Sequence, residues 1–355
     1  ARTQESERMG KIISVRGAKQ EDISEIAAGD IGVVTKLSNM RTGDTLCSPK
    51  KVLKLAPVSF PEPCLSMAVK VAKKGEEEKV AAGLFRLMEE DPTITFRSNH
   101  ETHEQILSGL GEQHLDVIVS KLKTKFGVDV SLSVPKVAYR ESIKKRVEVQ
   151  GRHKKQSGGS GQFGDVWIRF EPNEESEEMV FAEEVFGGSV PKNFFPAVEK
   201  GLREACVHGP LAGYPVVNLK AVLYDGSYHP VDSSEIAFKT AANLAYKAAM
   251  PEASPVLLEP VCELKVTVPD QYMGDILGDL NKRRGRVMGM TPTGNGEQVI
   301  EAECPEAELM SYAIDLRSMT QSRGSFVMHF VRYEQCSADA QAKAVAAAKA
   351  MQEAE

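Results

Sequence analysis

The segment from residue 152 to residue 164 has the clearest potential for chemistry in the chain. It reads RHKKQSGGSGQFG, so basic and imidazole side chains stand directly before four glycines. Glycine permits positive φ angles and a close approach of the backbone to another surface, and clustered cations attract anions such as phosphate groups. The segment therefore predicts a loop that contacts a partner.

A nucleotide phosphate is the first alternative, because Gly159, Gly161 and Gly164 match the pattern G-x-G-x-x-G. In a dinucleotide-binding fold this pattern follows a strand and opens a helix, whereas here a basic run precedes it and the β-like residues 166–170 follow. The pattern also extends to the G-x-G-x-x-G-x-V of protein kinases, but the sequence lacks the other kinase motifs. A phosphate-binding enzyme that uses residues 159–164 remains the alternative from another class of function.

A hydrolase site is the second alternative, because His229 lies near Asp232 and two serines. The spacing of Asp232 and Glu235 is that of a capping box, however, and predicts that Asp232 caps the N-terminus of a helix. The sequence has no G-x-S-x-G elbow, no HExxH motif and no C-x-x-C pair among its six cysteines, so it predicts neither a catalytic residue nor a metal site. The predicted buried face of the capped helix is Ala237, Ala241, Leu244, Ala245 and Ala248.

The composition is that of a globular chain with segregated charge. The 355 residues are 42% hydrophobic, no apolar run approaches the roughly 18 residues that span a bilayer, and no signal peptide is recognisable, so a cytoplasmic location is expected. The net charge is −6, but residues 140–155 carry seven Lys or Arg against two Glu, and residues 171–184 carry seven Glu without a basic residue. A chain of this kind can dock on RNA through its basic segment.

The elements that would position these residues belong to a multidomain α+β fold. Hydrophobic alternation predicts strands at residues 11–15 and 31–34, and two later regions each follow the order β-α-β-β-α-β of a ferredoxin-like split βαβ domain. In chain order the sequence divides into a strand-rich segment (1–60), a split βαβ domain (61–134), a middle domain (135–259), a second split βαβ domain (260–335) and an Ala-rich helical tail (336–355).

Four motifs resemble those of bacterial elongation factor G, the GTPase that drives tRNA–mRNA translocation on the ribosome. They are the glycine-rich segment, YDGSYHPVDSSE at 224–235, GDLNKRRG at 278–285 and DLRSMTQSRGSF at 315–326. The resemblance covers nearly the whole chain. It implies that residues 1–60 are the last part of the β-barrel that follows the GTPase domain. It also implies that residues 135–259 form an elongated, tRNA-mimicking domain with a left-handed βαβ crossover.

The resemblance further implies that the tip of this domain enters the ribosomal A site and occupies the codon–anticodon minor groove. The implied partners are rRNA of both ribosomal subunits, tRNA and mRNA, with the chain itself a monomer. A basic cluster at a predicted helix-to-strand loop, residues 282–284, is a further candidate for RNA contact. The predicted contact residues are Arg152, His153, Lys154, Lys155, Gln156, Ser157, Gly158, Gly159, Gly161, Gln162, Ser227, Tyr228, His229, Lys282, Arg283 and Arg284.

GTP and Mg²⁺ would be cofactors only of a GTPase domain that this sequence does not contain. The P-loop pattern G-x-x-x-x-G-K-[ST] is absent, and Asn281-Lys282-Arg283-Arg284 lacks the aspartate of a guanine-reading N-K-x-D. The chain is therefore predicted to bind no cofactor and to be inactive as an enzyme by itself, whereas a parent protein would hydrolyse GTP.

Two positions of the tip depart from the pattern usual in elongation factor G. Ser160 stands where an arginine is usual, and Pro230 follows His229 where an aspartate is usual. Without the arginine, one potential contact to RNA phosphate is lost. The alternative within the family is therefore a specialised paralogue that acts in ribosome recycling or only weakly in translocation.

Overall fold

A computed structural model describes residues 5–99, 101–157 and 160–354 of the chain. The described residues form a mixed α+β structure with seven α-helices and four β-sheets, which confirms the predicted fold class. The chain divides into two compact units, Ala1–Pro135 and Lys136–Glu355.

The N-terminal unit begins with three short strands: β1 (Ile12–Arg16), β2 (Lys19–Ile23) and β3 (Val33–Val34). Their order in the sheet is β2-β1-β3. Strands β1 and β2 are joined by a tight turn at Gly17, whose φ of +59° favours glycine. Strand β2 was not predicted, because its residues KQEDI are polar and four of the five are exposed, so no hydrophobic alternation marks it.

The rest of this unit is an antiparallel sheet with two helices. Its elements are β4 (Leu65–Val71), α1 (Glu77–Glu90), β5 (Thr95–Asn99), β6 (Glu104–Gly109), α2 (Glu112–Lys121) and β7 (Val130–Ser133). The strand order is β5-β6-β4-β7, and Leu84, Leu107 and Leu115 are buried in the core. A π-helical turn, Leu122–Phe126, extends α2 to Gly127, whose φ of +65° ends the helix. This is the β-α-β-β-α-β order predicted for the region.

The first part of the C-terminal unit is a four-stranded sheet with two helices, preceded by strand β8. Its elements are β8 (Arg140–Ile143), β9 (Val147–Ser157), β10 (Ser160–Pro172), β11 (Val180–Glu183), α3 (Phe195–Ala205), β12 (Leu219–Ser227) and α4 (Glu235–Glu252). Four strands form a sheet in the order β11-β12-β10-β9, in which only β11 and β12 pair in parallel. Helix α3 connects these two strands, as expected for a βαβ crossover, and its predicted left hand stays a prediction. Val166, Ile168, Phe170 and Phe238 are fully buried between sheet and helices.

The last part of this unit is built on the long strand β13. Its elements are β13 (Pro255–Pro269), α5 (Met273–Lys282), β14 (Arg286–Pro292), β15 (Glu297–Pro305), α6 (Tyr312–Met319), β16 (Ser325–Gln335) and α7 (Ala338–Ala354). The strand order is β14-β15-β13-β16, and β8 pairs with the first residues of β13. Strand β13 therefore runs without a break through the predicted boundary at 259/260. The tail helix α7 is docked, because Gln341 Oε1 accepts a hydrogen bond from Leu257 N–H at 2.9 Å.

Candidate nucleic-acid interface

The glycine-rich segment is a β-hairpin rather than the loop that its composition predicted. Strands β9 and β10 pair continuously from Val147 opposite Phe170 to Ser157 opposite Ser160. Gly158 and Gly159, two of the predicted contact residues, connect the strands and lie outside the described residues. The basic side chains before the glycines therefore stand on a paired strand, which fixes their spacing along the hairpin.

The glycines in and beside this segment serve close packing within the protein. A Cβ atom on Gly151 would lie 2.1 Å from the carbonyl oxygen of Ala241, and one on Gly164 would lie 2.5 Å from that of Ala237. Both glycines thus let α4 rest directly on the hairpin. A Cβ atom on Gly161 would lie 2.7 Å from Cγ of Asp232. Because these positions have no side chains, helix α4 and Asp232 can lie directly against the hairpin. Close packing within the protein, rather than a phosphate cradle, accounts for these glycines.

The three cations of the hairpin, Arg152, Lys154 and Lys155, are exposed. Lys154 and Lys155 are exposed, and neither forms an ion pair with any described residue. The guanidinium of Arg152 lies over the ring of Phe163, 5.7 Å from its centroid, and forms no ion pair with the part of the chain that the structure describes. His153 Nε2 and Gln162 Oε1 are 3.0 Å apart across the two strands. The amide side chain of Gln156 is exposed beside these residues.

Strand β12 leads into the second predicted loop, and its last residue faces inward. Ser227 Oγ donates to Asp165 Oδ2 at 2.6 Å, and Gln150 Nε2 donates to Asp165 Oδ1 at 2.8 Å. Asp165 is buried, so these two donors satisfy a carboxylate that would otherwise be costly. The hydroxyl of Ser227 is therefore engaged within the protein, whereas the next side chain, Tyr228, is about half exposed.

His229 is exposed, and its ring is held by hydrogen bonds to its own loop. The ring atom Nδ1 accepts hydrogen bonds from the backbone N–H of Asp232 at 3.1 Å and of Val231 at 3.4 Å. The backbone N–H of His229 donates to Ser233 Oγ at 2.8 Å. Because Nδ1 is an acceptor, the neutral ring carries its proton on Nε2, which is then a donor available to a partner.

Asp232 does not cap helix α4, which corrects the prediction from its capping-box spacing. Ser234 is the N-cap: its backbone is extended and its Oγ accepts from Ala237 N–H at 3.3 Å. Asp232 instead binds the hairpin, since its Oδ1 accepts from Gly161 N–H at 3.1 Å and its carbonyl oxygen accepts from Phe163 N–H at 2.9 Å. Ser233 Oγ donates to the carbonyl oxygen of Phe163 at 3.0 Å. These bonds join the hairpin and the His229 loop into one unit, which is called the tip below.

The buried face of α4 also differs from its prediction. Leu244 and Ala248 are exposed, whereas Ala237, Ala241 and Ala245 are fully buried as predicted. The helix is covered by α3 as well as by the hairpin, so its buried surface is wider than a single stripe. The additional buried residues are Phe238, Ala242, Tyr246, Ala249 and Met250.

The second basic cluster has a different environment, because two of its three cations have internal partners. Arg283 donates to Asp279 Oδ2, Asp315 Oδ2 and the carbonyl oxygen of Glu308, each at 2.7 Å. Arg284 forms two hydrogen bonds of 2.7 and 2.8 Å with the buried carboxylate of Glu259. Only Lys282 is exposed without an ion pair to a described residue. Of the three predicted contact residues at this loop, two are thus engaged within the protein, and contact of the cluster with RNA stays a prediction.

The described residues provide no support for hydrolytic or metal chemistry. Ser233 Oγ contacts the backbone of His229 and Phe163 rather than an imidazole nitrogen, so the serine is not activated by a base. Across residues 5–99, 101–157 and 160–354 no group of three or more His, Cys, Asp or Glu could hold a metal ion. None of the helices in these ranges is long and apolar enough to cross a membrane.

Four residues that shape the tip were not among the predicted contact residues: Gly151, Phe163, Asp165 and Gln150. Their roles depend on the register of β9 against β10, which places Asp165 opposite Arg152 and Gly151 opposite Val166. The sequence signal that could have found them is the pair Gly158-Gly159. A two-residue hairpin turn at this pair sets Ser157 opposite Ser160, and the register that follows places Gly151 and Gly164 on the same face of the hairpin.

Comparison with known families agrees with this architecture domain by domain. Residues 60–134 match the family model of elongation factor G domain III, residues 135–254 match domain IV, and residues 256–344 match the elongation factor G C-terminus. A crystal structure from Thermus thermophilus is 38% identical in sequence and superposes with a TM-score of 0.79. The match covers 96% of this chain and 51% of that one, so the chain spans about half the length of this relative.

These domains define a protein of the translation elongation factor type. The three matches together cover most of the chain, in the order expected from the sequence motifs. The chain belongs to the elongation factor G family, which confirms the resemblance found in the sequence.

Proposed function

We propose that this chain is the ribosome-binding part of a translational GTPase that promotes tRNA–mRNA translocation in the cytoplasm. In this proposal the tip enters the ribosomal A site, and GTP with Mg²⁺ is bound by a GTPase domain outside this chain. Family membership supports the general role. The observation that carries the specific role is the tip itself, in which Asp232 joins a hairpin with unneutralised cations to an outward-facing His229.

The groups that the tip leaves available fit an RNA partner. Its internal hydrogen bonds use acceptors, including Nδ1 of His229 and the carboxylate of Asp232, and leave outward donors at His229 Nε2, Lys154 and Lys155. RNA offers phosphate oxygens, 2′-hydroxyl groups and the acceptor edges of its bases in the shallow minor groove. A surface of donors is complementary to such a partner and repels a cationic one.

The proposed role requires a rigid body rather than bond chemistry. A tip that occupies a groove can prevent reverse movement of the tRNA only if the tip keeps its conformation during that contact. The contacts of α4 with Gly151 and Gly164 support the hairpin along two turns of the helix, and core packing supports the helix in turn. Such backing stiffens a binding site built at the end of a sheet.

The decisive test replaces His229 by alanine, with Val231→Ala as the matched control. Val231 lies in the same loop and is 83% exposed, but its side chain has no polar group. Chemical probing of ribosomal RNA should show that this chain protects A-site bases, and that His229→Ala loses this protection while Val231→Ala keeps it. In the GTPase-bearing factor, His229→Ala should slow tRNA–mRNA movement and leave ribosome-stimulated GTP hydrolysis nearly unchanged. Equal protection by both variants would contradict the assignment of the tip.

A specialised paralogue remains the second candidate, because Ser160 removes one cation from the hairpin of the usual family pattern. If the chain has been tuned to a weaker or different ribosomal task, restoring the cation by Ser160→Arg should strengthen ribosome binding and accelerate translocation. An unchanged translocation rate together with activity in ribosome recycling would favour the recycling role.

A further inference from the structure

Asp232 connects the two parts of the tip through all four of its polar atoms. Oδ1 accepts from Gly161 N–H and the carbonyl oxygen accepts from Phe163 N–H; the backbone N–H donates to His229 Nδ1, and Oδ2 lies 3.3 Å from that same nitrogen. Because Ser234 caps α4, capping does not explain the presence of a carboxylate here. We propose that Asp232 is a positioning residue whose hydrogen bonds join the hairpin to the loop and orient His229 for the proposed RNA contact. The bonds of Asp232 to Gly161, Phe163 and His229 are called the clasp below.

Gly161, whose N–H binds the carboxylate of Asp232, has no side chain that would collide with that carboxylate. A Cβ atom on Gly161 would approach the carboxylate of Asp232 to between 2.7 and 3.0 Å, which is closer than side chains tolerate. The glycine therefore lets the carboxylate reach the backbone N–H directly. The side chain of Asp232 is 27% exposed, and among the described residues the one basic side chain within 4 Å of its carboxylate is that of His229, at 3.3 Å. Both observations assign the carboxylate to the tip rather than to a general surface charge.

The backbone of the loop that Asp232 ties to the hairpin determines which ring nitrogen of His229 is left for a partner. Two backbone N–H groups point at Nδ1 of His229, and one of them belongs to Asp232. This arrangement favours the tautomer with its proton on Nε2. The chemical class that such a donor recognises is an acceptor on base-paired RNA, such as a minor-groove base edge or a 2′-hydroxyl oxygen. The proposal rests on the proposed function for the identity of this partner, but not for the clasp.

The first experiment measures the clasp in this chain without the ribosome. Amide hydrogen exchange at Gly161 and ¹⁵N shifts of the His229 ring report the hairpin bond and the tautomer. Asp232→Ala should speed exchange at Gly161 by about ten- to hundredfold, since a hydrogen bond to a charged acceptor is lost. The backbone N–H of residue 232 is kept in this variant, but the loop is no longer tied to the hairpin through Oδ1. Both backbone N–H groups should therefore hold Nδ1 less closely, and the ring should change from the Nε2–H form to a mixture of tautomers. Unchanged exchange and an unchanged tautomer would overturn the inference.

Two further variants separate positioning from general stability. Ser234→Ala removes the true N-cap and should lower the melting temperature by about 2–4 °C, with Gly161 exchange and the His229 tautomer as in the native chain. Asp232→Asn keeps an oxygen that can accept from Gly161 N–H, so the amide of Gly161 should exchange at close to its native rate. If Ser234→Ala changed both tip readouts as strongly as Asp232→Ala, the clasp would be only a consequence of helix stability.

A double-mutant cycle tests the contact itself. Gly161→Ala should lower the melting temperature of the native chain, because its methyl group collides with the carboxylate of Asp232. The same change should have a smaller effect in the Asp232→Ala background, where the collision is absent. Equal effects in both backgrounds would contradict the contact.

The ribosome assay then distinguishes the two proposals. Asp232→Ala should lose A-site protection as His229→Ala does, and Asp232→Asn should keep most of it. If the exchange and tautomer results are as expected but neither alanine variant alters protection, the clasp stands and the proposed function fails. If protection depends on His229 but not on Asp232, the function stands and the positioning role is overturned.

Discussion

The two basic clusters of the chain, at residues 152–155 and 282–286, look alike in sequence and differ in what neutralises them. On the hairpin, Arg152, Lys154 and Lys155 form no ion pair with the described residues, and the guanidinium of Arg152 lies over the ring of Phe163. In the second cluster, Arg284 binds buried Glu259, and Arg286 binds Glu303. A run of basic residues therefore does not show by itself which charges the fold leaves available to an external partner.

The position of each cluster in its sheet explains the difference. Lys154 and Lys155 stand where the hairpin extends beyond the last residue pair of β10 with β12, whereas Arg152 lies level with that pair, opposite Asp165. The Arg283-Arg284 loop lies between α5 and β14, where acidic residues of the neighbouring elements approach both guanidinium groups. Removing a paired arginine would leave a carboxylate without its partner, whereas the unpaired lysines can contact phosphate, as the proposed function requires.

The largest effect that tests this comparison is expected for Arg284→Ala. The substitution leaves the carboxylate of Glu259, whose side chain is 6% exposed, without its bidentate partner. Breaking a buried pair from one side costs about 3–5 kcal/mol of unfolding free energy. Urea unfolding should reveal this loss, while Lys282→Ala, the neighbouring exposed control, should stay within about 0.5 kcal/mol of the native chain. A loss below about 1 kcal/mol would mean that Arg284 is as free as the hairpin lysines.

The opposite behaviour is expected for the double variant Lys154→Ala with Lys155→Ala. Both ammonium groups are exposed, so the melting temperature should hardly change, whereas ribosome binding should weaken. Each lost phosphate contact should reduce the slope of log K against log salt by about 1. Binding of the chain to ribosomes, measured from about 50 to about 200 mM salt, the range in which such contacts are screened, tests this. The same slope in the native chain and the variant would show that the hairpin lysines do not contact phosphate.

A smaller effect is expected from the pH dependence of the paired cluster. Hydrogen bonds from Arg332 and Arg286 lower the pKa of Glu303 from 4.5 to about 2. A carboxyl whose pKa is lowered in the folded state contributes stability that is present above pH 4.5 and is lost as the pH falls towards 2. Because both arginines are exposed, we expect a contribution of about 1 kcal/mol. The stability difference between the native chain and Glu303→Gln should therefore be present at neutral pH and vanish near the lowered pKa; a difference independent of pH would contradict the pairing.

In the two split βαβ domains the sequence was sufficient for the order of the elements, whereas it missed strand β2, the pairing of β9 with β10, and the side-chain hydrogen bonds. Hydrophobic periodicity located β4 and α1 to within a residue, because each buries one regular face. The helix start at residues 232–235 was wrong in its cap, because Asp232 and Ser234 both satisfy the local preference and only the nearby Gly161 N–H decides between them. The pairing of Arg284 was not predictable either, since Glu259 is 25 residues away and meets it only through the fold.

The smallest effect, an absence of binding, is expected when GTP is added to this chain. If the glycine-rich hairpin cradled phosphate, its backbone N–H groups would have to be free, as they are in phosphate-binding loops. In this protein Gly161 N–H and Phe163 N–H both donate to Asp232, and an anion would meet the carboxylate as well. Calorimetry at tens of micromolar protein, roughly the range that detects micromolar affinity, should show no saturable heat with GTP.

Asp232→Ala sharpens this last comparison, because it frees the Gly161 N–H and removes the repelling charge. The bond from Phe163 N–H to the backbone carbonyl of residue 232 can remain, so the variant offers an anion only one new donor. Saturable binding of GTP by the native chain would support the phosphate-binding alternative. Weak binding confined to Asp232→Ala would show instead that the clasp itself closes the hairpin to phosphate.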